Sequence, residues 1–362
     1  MIRQVACQSL ALVLITLILG TAAGQPMAAV DKVYIRDKKD GSVKNMNGTL
    51  VFSPTGLQLV GADKKVLAIL TPAEVVKVVP VDLPGVDSGE MFKYIGLEDK
   101  KTKADFVTAR LGYQDMKKKA AAAPERTKRY IDFKLALMTS RIAEETGYDE
   151  DWSKVALEAA KEWSDFIDVY KTGFDVWVAA RASARIYTEL NKFNDVARIW
   201  NRMTKKEVNL PPDLLFEAQL QEIDAQIRSK AGAAAQVAAA ALLNTAPAAS
   251  KDKVAIYEAA AKAMAGGEPL TGVKAIEAKI AGTKDSATRG IGFSMLGELY
   301  QEAPGRSRDA MWNFLWVETV YNADKEDAFK AMCRLVEVFK SQMDDDRVRA
   351  YQDKLRRARG NF

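Results

Sequence analysis

The chain has 362 residues, of which 48% are hydrophobic and 28% are charged, as in ordinary globular proteins. Its 53 basic and 48 acidic residues leave a net charge of only +5, which does not favour a nucleic-acid partner. The chain contains no histidine, which excludes histidine-dependent nucleophiles, histidine acid–base catalysis and histidine-ligated zinc. We therefore predict no catalytic residue, no metal and no cofactor, although carboxylate or lysine chemistry stays formally open.

The N-terminus has the layout of a secretory signal peptide. Arg3 supplies a positive charge, the apolar run 10–19 follows, and small residues come between Gly20 and Gly24. This run is well short of the ~20 residues that a membrane-spanning helix needs. We therefore expect cleavage between Ala23 and Ala29 rather than an uncleaved anchor, and a periplasmic or secreted protein with no integral membrane span after cleavage.

Cys333 is the only cysteine after the predicted signal peptide, because Cys7 precedes the apolar run. The mature chain therefore has no internal disulfide, and its core must stabilise it. Cys333 lies in the helical run 328–335, which favours a buried apolar role over a reactive thiol.

Residues 31–81 have the pattern of a small β domain. Asp40-Gly41 and Ser53-Pro54-Thr55-Gly56 are typical turn sequences. Between the turns lie five apolar or β-branched runs: Val33–Ile35, Thr49–Phe52, Leu57–Val60, Val66–Leu70 and Glu74–Val79. Five strands in so short a segment predict a small barrel or a strongly bent sheet. The segment resembles the SH3-like or pleckstrin-like barrels of bacterial envelope proteins, and the sequence does not choose between them.

The rest of the chain is predicted to be helical. Residues 83–89 contain two glycines and a proline among polar residues, which is typical of a linker. From about residue 105, regularly spaced glycine, proline and asparagine breaks divide the chain into about a dozen helices of ordinary length. We predict a signal peptide at 1–29, a β domain at 30–82, a linker at 83–104 and a helical domain at 105–362.

Residues 291–339 show the clearest pattern in the chain. Phe293, Leu296, Gly297 and Tyr300 fall on one face of a helix, and a second helix follows the break at 303–305. The second helix carries Ala310, Phe314, Val317 and Tyr321 at matching intervals. This arrangement resembles the tetratricopeptide (TPR) repeat, in which glycine allows close approach of the partner helix and aromatic residues fill the space beside it.

A second segment, at 180–203, resembles the same repeat. Its small residue, aromatic residues and turn fall at the expected intervals: Ala180, Ala184, Tyr187, Asn191, Phe193, Val196, Trp200 and Met203. The resemblance implies a mainly α-helical, TPR-like solenoid of antiparallel helix hairpins after the β domain. Helical hairpins of this family stack to bury their apolar stripes and present an interaction surface to a protein or peptide partner.

Four further segments have a structural and a functional interpretation. Gly290-Ile291-Gly292 with Gly297 does not fit a nucleotide-binding spacing, so we expect close helix packing. The acidic runs 149–151 and 344–346 are expected to begin helices rather than to bind cations. The alanine-rich segment 231–249 predicts either a closely packed hairpin or a mobile arm.

Aromatic and basic residues supply the remaining candidates for binding. The aromatic set is Trp152, Trp163, Phe166, Tyr170, Phe174 and Trp177, with Trp312 and Trp316 further on; core packing is expected, and an exposed peptide or glycan groove is the alternative. The basic residues are Lys117–Lys119, Lys128 and Arg129, and in the last helix Arg347, Arg349, Lys354, Arg356, Arg357 and Arg359. We expect these to be solvated helix ends rather than contacts to an anionic surface.

Taken together, the sequence predicts a non-catalytic interaction or scaffolding protein of the bacterial periplasm or cell envelope. Two alternatives are open: a carboxylate-dependent glycan-acting enzyme on a helical array, and an envelope-surface binder acting through its basic C-terminal helix.

Overall fold

The computed structural model describes residues 30–148 and 151–359. Over these ranges the chain is mainly α-helical, with a small antiparallel sheet at the N-terminal end. None of the helices described is both long enough and apolar enough to cross a membrane. The predicted signal peptide at 1–29, together with Asp149 and Glu150, lies outside the described residues.

The sheet confirms the five predicted strands. They are β1 (Asp31–Arg36), β2 (Val43–Ser53), β3 (Gly56–Val60), β4 (Val66–Leu70) and β5 (Val75–Pro80), in the order β4-β3-β2-β1-β5. The long strand β2 pairs with β1 through residues 43–48 and with β3 through residues 49–53. One strand thus serves both halves of the sheet.

The predicted barrel is wrong, because the sheet is open and β4 and β5 form its two edges. Helices provide the cover that strand closure would provide in a barrel. Val33, Leu57 and Leu59 form the core of one face, against which Phe174 of the helical region packs. On the other face, Val79 joins a core made with the first helices. Apolar burial against helices removes the need to close the sheet on itself.

Fourteen α-helices follow in the described ranges. They are α1 (Ser88–Glu98), α2 (Lys103–Lys119), α3 (Glu125–Glu145), α4 (Trp152–Val169), α5 (Phe174–Glu189), α6 (Phe193–Met203), α7 (Pro212–Arg228), α8 (Gly232–Thr245), α9 (Lys251–Ala265), α10 (Val273–Gly282), α11 (Ser286–Glu302), α12 (Ser307–Thr319), α13 (Lys325–Ser341) and α14 (Asp345–Ala358). Consecutive helices pack against each other, and several alternate helices, including α7 with α9 and α9 with α11, also touch.

The segment predicted as a linker, 83–104, contains helix α1. Asp87 caps this helix by accepting a hydrogen bond from the backbone N–H of Glu90. Met91 and Ile95, four residues apart, are buried with Leu83 in the same core as α2 and α3. The glycine and proline signals mark only the turn before α1, and the apolar spacing that follows them makes a packed helix.

Both segments that resemble the repeat form helix pairs, α5 with α6 and α11 with α12. Gly297 of α11 lies against Phe314 of α12, where an added Cβ atom would be only 2.5 Å from the ring. The predicted role of this glycine in close helix approach is therefore confirmed. The alanine-rich segment forms α8, which packs on α9; at Gly232 a Cβ atom would be 2.5 Å from the backbone of Ala265. Of the two interpretations of that segment, the closely packed hairpin is confirmed.

The helices do not continue outward as an open row. Helix α13 contacts α5, so a late hairpin packs back on a much earlier one. Arg185 of α5 donates a hydrogen bond to the carbonyl oxygen of Ala358, at the end of α14, over 2.6 Å. Helices α5, α7, α11 and α13 thus come together, and their polar side chains meet in the interior.

Candidate functional site

A buried charge network lies where α7, α11 and α13 meet. Asp224 and Arg228 of α7 form an ion pair of 2.9 Å, and Lys330 of α13 pairs with the other carboxylate oxygen of Asp224 at 2.8 Å. Glu298 of α11 accepts hydrogen bonds from both Arg228 and Arg334, the latter pair at 2.7 Å. The side chains of Asp224, Arg228, Glu298 and Lys330 are at most 5% exposed.

This network holds three helices together, which is a structural role. Burial opposes ionisation of Asp224, yet Arg228 and Lys330 hold the pKa of its carboxyl below the ordinary value. Glu298 is likewise flanked by two guanidinium groups. Each carboxylate is therefore committed to cations inside the fold, in contrast to the water-accessible facing pair that glycan hydrolysis requires.

Asp327 differs from Asp224, because at Asp327 the effect of burial on the pKa outweighs the effect of the nearby cations. It lies in the first turn of α13, and its nearest cation, Lys330, is 3.9 Å away. Burial, offset in part by Lys330, raises the pKa of the Asp327 carboxyl from 3.8 to about 6. The folded protein therefore holds a proton on Asp327 at a pH at which the unfolded chain releases it.

Asp327→Asn should change the pH dependence of stability in a defined direction. Because its pKa is raised in the folded state, Asp327 contributes most to the stability of the fold below about pH 4. This contribution is lost as the pH rises to about 6. Asparagine cannot ionise, so the melting temperature of the variant minus that of the wild type should increase between these limits and level off above them. Asp346→Asn, at a side chain that is 93% exposed, is the control. A difference that does not vary with pH would contradict the buried ionisation of Asp327.

Five members of the first aromatic set are core, as expected, and the sixth, Phe174, is partly buried against the sheet. Trp152, Trp163, Phe166, Tyr170 and Trp177 are all at most 6% exposed. The indole N–H of Trp163 donates to the hydroxyl of Ser140 over 2.6 Å, which satisfies its polar atom inside the core. These side chains are closed to a peptide or a glycan.

Trp312 and Trp316 are different, because they lie on the surface. They are 52% and 47% exposed, and Val320, one turn further on, is 50% exposed. The residues are spaced four apart, so they form one stripe along the outer side of α12 and its C-terminal end. The prediction that these two tryptophans are buried in the core is therefore wrong.

Two further aromatic rings support this stripe. Phe293 of α11 stacks on Tyr321, with centroids 5.0 Å apart, and on Trp316, at 6.0 Å. We call Phe293, Trp312, Trp316, Val320 and Tyr321 the aromatic surface.

A glycine of α11 sets the position of the aromatic surface. At Gly290 a Cβ atom would lie 3.1 Å from the carbonyl oxygen of Tyr321, so the absence of a side chain lets the chain after α12 approach α11. Two residues further on, a Cβ atom at Gly292 would be 2.5 Å from Ile280. The two glycines that bracket Ile291 are thus explained by close packing, as predicted.

The basic clusters are mostly paired with acidic side chains. The exposed pairs are Lys117–Asp132, Lys119–Glu90, Arg347–Asp344, Arg349–Asp346 and Lys354–Glu318, with distances of 2.6–2.9 Å. Asp344 also caps α14 by accepting from the backbone N–H of Arg347, which confirms the helix-start role of the run 344–346. The expectation of a solvated end is wrong for Arg359, which is only 6% exposed.

Cys333 is buried, as predicted, and burial raises the pKa of its thiol. Within residues 30–148 and 151–359, no group of three or more acidic or cysteine side chains is arranged to hold a metal ion.

Sequence reasoning missed both the charge network and the burial of Arg359. A signal for the network exists in α7, where Gln221 accepts a hydrogen bond from Lys330 over 2.6 Å. Gln221, Asp224 and Arg228 are spaced three and four apart, on the side of α7 that the apolar pattern would assign to the core. Comparison with models of known protein families, with curated proteins and with solved structures finds no significant match for this chain.

Proposed function

We propose that this chain is a non-catalytic interaction or scaffolding protein of the bacterial periplasm or cell envelope, built from TPR-like helix hairpins. The hairpins at 174–203 and 286–319, with their small and aromatic residues at repeat spacing, support the TPR-like interpretation. The signal-peptide pattern of the N-terminus supports export.

The exposed aromatic surface carries the proposal. Trp312 and Trp316 are half exposed, and Trp316 is already ordered by stacking on Phe293, so the surface offers aromatic contact area at a low cost in conformational entropy. The interior faces of α5, α7, α11 and α13 are occupied by their own charge pairs, so the proposed docking site lies on the outer side of α12 rather than on a concave inner surface. An apolar or aromatic segment of a partner protein fits this chemistry best.

The test is recovery of partners from the native cell envelope, with the tagged chain as bait and mass spectrometry as the readout. Trp312→Ala/Trp316→Ala should reduce recovery of the specific partner about tenfold or more, since aromatic anchors at an interface are worth ~2 kcal/mol each. Val169→Ala/Val237→Ala, at side chains that are 66% and 73% exposed, is the matched control and should keep the partner. Equal recovery by the tryptophan variant and the wild type would show that the aromatic surface is not the docking site.

A further inference from the structure

The aromatic surface has an arginine at each of its ends. Arg308 precedes Trp312 by four residues in the first turn of α12, so the two side chains lie on the same side of that helix. Arg289 precedes Phe293 by four residues in the first turn of α11. The start of α11 lies beside Tyr321, which follows α12, so the two helices are antiparallel and the two arginines lie at opposite ends of the hairpin.

The length of α12 separates the two arginines. Gly290, the neighbour of Arg289, lies against the carbonyl oxygen of Tyr321. From Tyr321 back to Arg308 the chain rises ~1.5 Å per residue through α12, which gives a separation of about 20 Å. An extended peptide of about six residues covers this length at ~3.3 Å per residue.

Neither arginine has a counter-charge in the fold. Arg308 is exposed and forms no ion pair with any residue of the described ranges. Nε of Arg289 donates to the carbonyl oxygen of Thr283 over 2.9 Å, which fixes the side chain, but this arginine also lacks a carboxylate partner among the described residues. Other arginines of α11–α14 do form ion pairs: Arg306 with Asp309, Arg334 with Glu298, Arg347 with Asp344 and Arg349 with Asp346.

The acidic residues of the same hairpin are engaged elsewhere. Asp285 caps α11 by accepting from the backbone N–H of Thr288, and Glu298 lies in the buried charge network. The other three pair with cations at 2.5–2.9 Å: Glu302 with Lys230, Asp309 with Arg306 and Glu318 with Lys354. Both ends of the aromatic surface are therefore positive, and a guanidinium group is the side chain best shaped to bind a carboxylate through two hydrogen bonds.

We propose that the aromatic surface binds a peptide segment with an apolar or aromatic centre and a carboxylate at each end, one for Arg308 and one for Arg289. This inference rests on the proposed docking function and adds the charge specificity of the partner. Complementary charges at both ends set the register of the segment and discriminate against segments with basic ends. An anionic membrane is a poorer fit, because stable binding to lipid head groups needs a cluster of several cations.

The test is selection of peptides from a random phage-displayed library by the purified protein. The wild type should enrich peptides with an apolar or aromatic centre and Asp or Glu about six residues apart. For a labelled synthetic peptide of this kind, Arg308→Glu should weaken binding about tenfold or more in fluorescence anisotropy, since a charge-assisted hydrogen bond is replaced by repulsion. Arg308→Lys keeps the charge and should lose less. The matched control is Arg349→Glu, the same charge change at a 70% exposed side chain of α14, which should bind like the wild type.

The tryptophan variant separates this inference from the docking function itself. If Trp312→Ala/Trp316→Ala loses the selected peptides but these show no acidic ends, or bind Arg308→Glu as well as the wild type, the charge specificity is wrong and the docking surface stands. Peptides that bind the tryptophan variant equally well would overturn both. Absence of any enriched peptide would overturn the charge specificity, and recovery of partners from the envelope would then decide the docking function. Retention by phosphatidylglycerol vesicles that Arg308→Glu abolishes, without peptide selection, would assign the surface to lipid instead.

Discussion

Glu298→Ala should lower the free energy of unfolding by about 3–5 kcal/mol, the cost of removing one partner from a buried ion pair. Glu298 is 3% exposed and accepts from Arg228 and from Arg334. Alanine would leave Arg228, whose side chain is 1% exposed, with Asp224 as its ion-pair partner, while Lys330 also depends on Asp224. Arg334 would lose its carboxylate, and Arg228 would have only the one that it shares with Lys330, in a region of low dielectric constant.

Chemical denaturation at neutral pH measures this effect, and Glu302→Ala is the matched control. Glu302 lies one turn further along α11 and pairs with Lys230 at 2.7 Å, but the lysine side chain is 67% exposed. Loss of such a surface pair is worth about 0–1 kcal/mol. Similar losses for the two variants would mean that the network is not the buried tie described above.

Gly297→Leu should destabilise the protein by about 1–3 kcal/mol through overpacking. Even the first carbon of the new side chain would lie 2.5 Å from the ring of Phe314, and this ring is completely buried. The leucine must therefore push α11 and α12 apart or force Phe314 out of its preferred conformation.

Gly96→Leu is the appropriate comparison for this substitution. Gly96 also lies within a helix, α1, but a Cβ atom there would meet nothing within 4 Å. Replacing an exposed helical glycine favours the helix by up to about 1 kcal/mol. The two variants should therefore shift the melting temperature in opposite directions. A melting temperature of Gly297→Leu equal to that of the wild type would contradict the close helix contact.

Local patterns predicted the elements well. The five strands follow from β-branched runs between turn sequences, and the helix pairs at 174–203 and 286–319 follow from apolar spacing. The contact of Gly297 with Phe314 follows from the same spacing, because a glycine on an apolar helix face has few other uses.

The errors arose where distant parts of the chain meet. A closed barrel was predicted because the sequence of the five strands does not show that helices cover the sheet. Trp312 and Trp316 were predicted to be buried like the earlier tryptophans, because spacing alone does not show which side of a helix the next hairpin covers. Arg359 looked like one more solvated cation, since the groups that surround it are far away in the sequence: Glu189 and residues 143, 146, 148 and 152.

The ion pair of Arg359 with Glu189 joins residues 170 positions apart, and that of Lys330 with Asp224 joins residues 106 positions apart. In an open repeat array each unit touches only its neighbours, and its units can form or melt nearly one at a time. Here the end of α14 is tied to α5, and α13 is tied to α7, so melting of any of these helices breaks contacts of a partner far away in the sequence. The chain must also close large loops before these contacts form, which costs entropy and slows folding relative to a linear array. The likeness to a repeat protein is therefore one of local form, and we expect α5–α14 to unfold as a single cooperative unit.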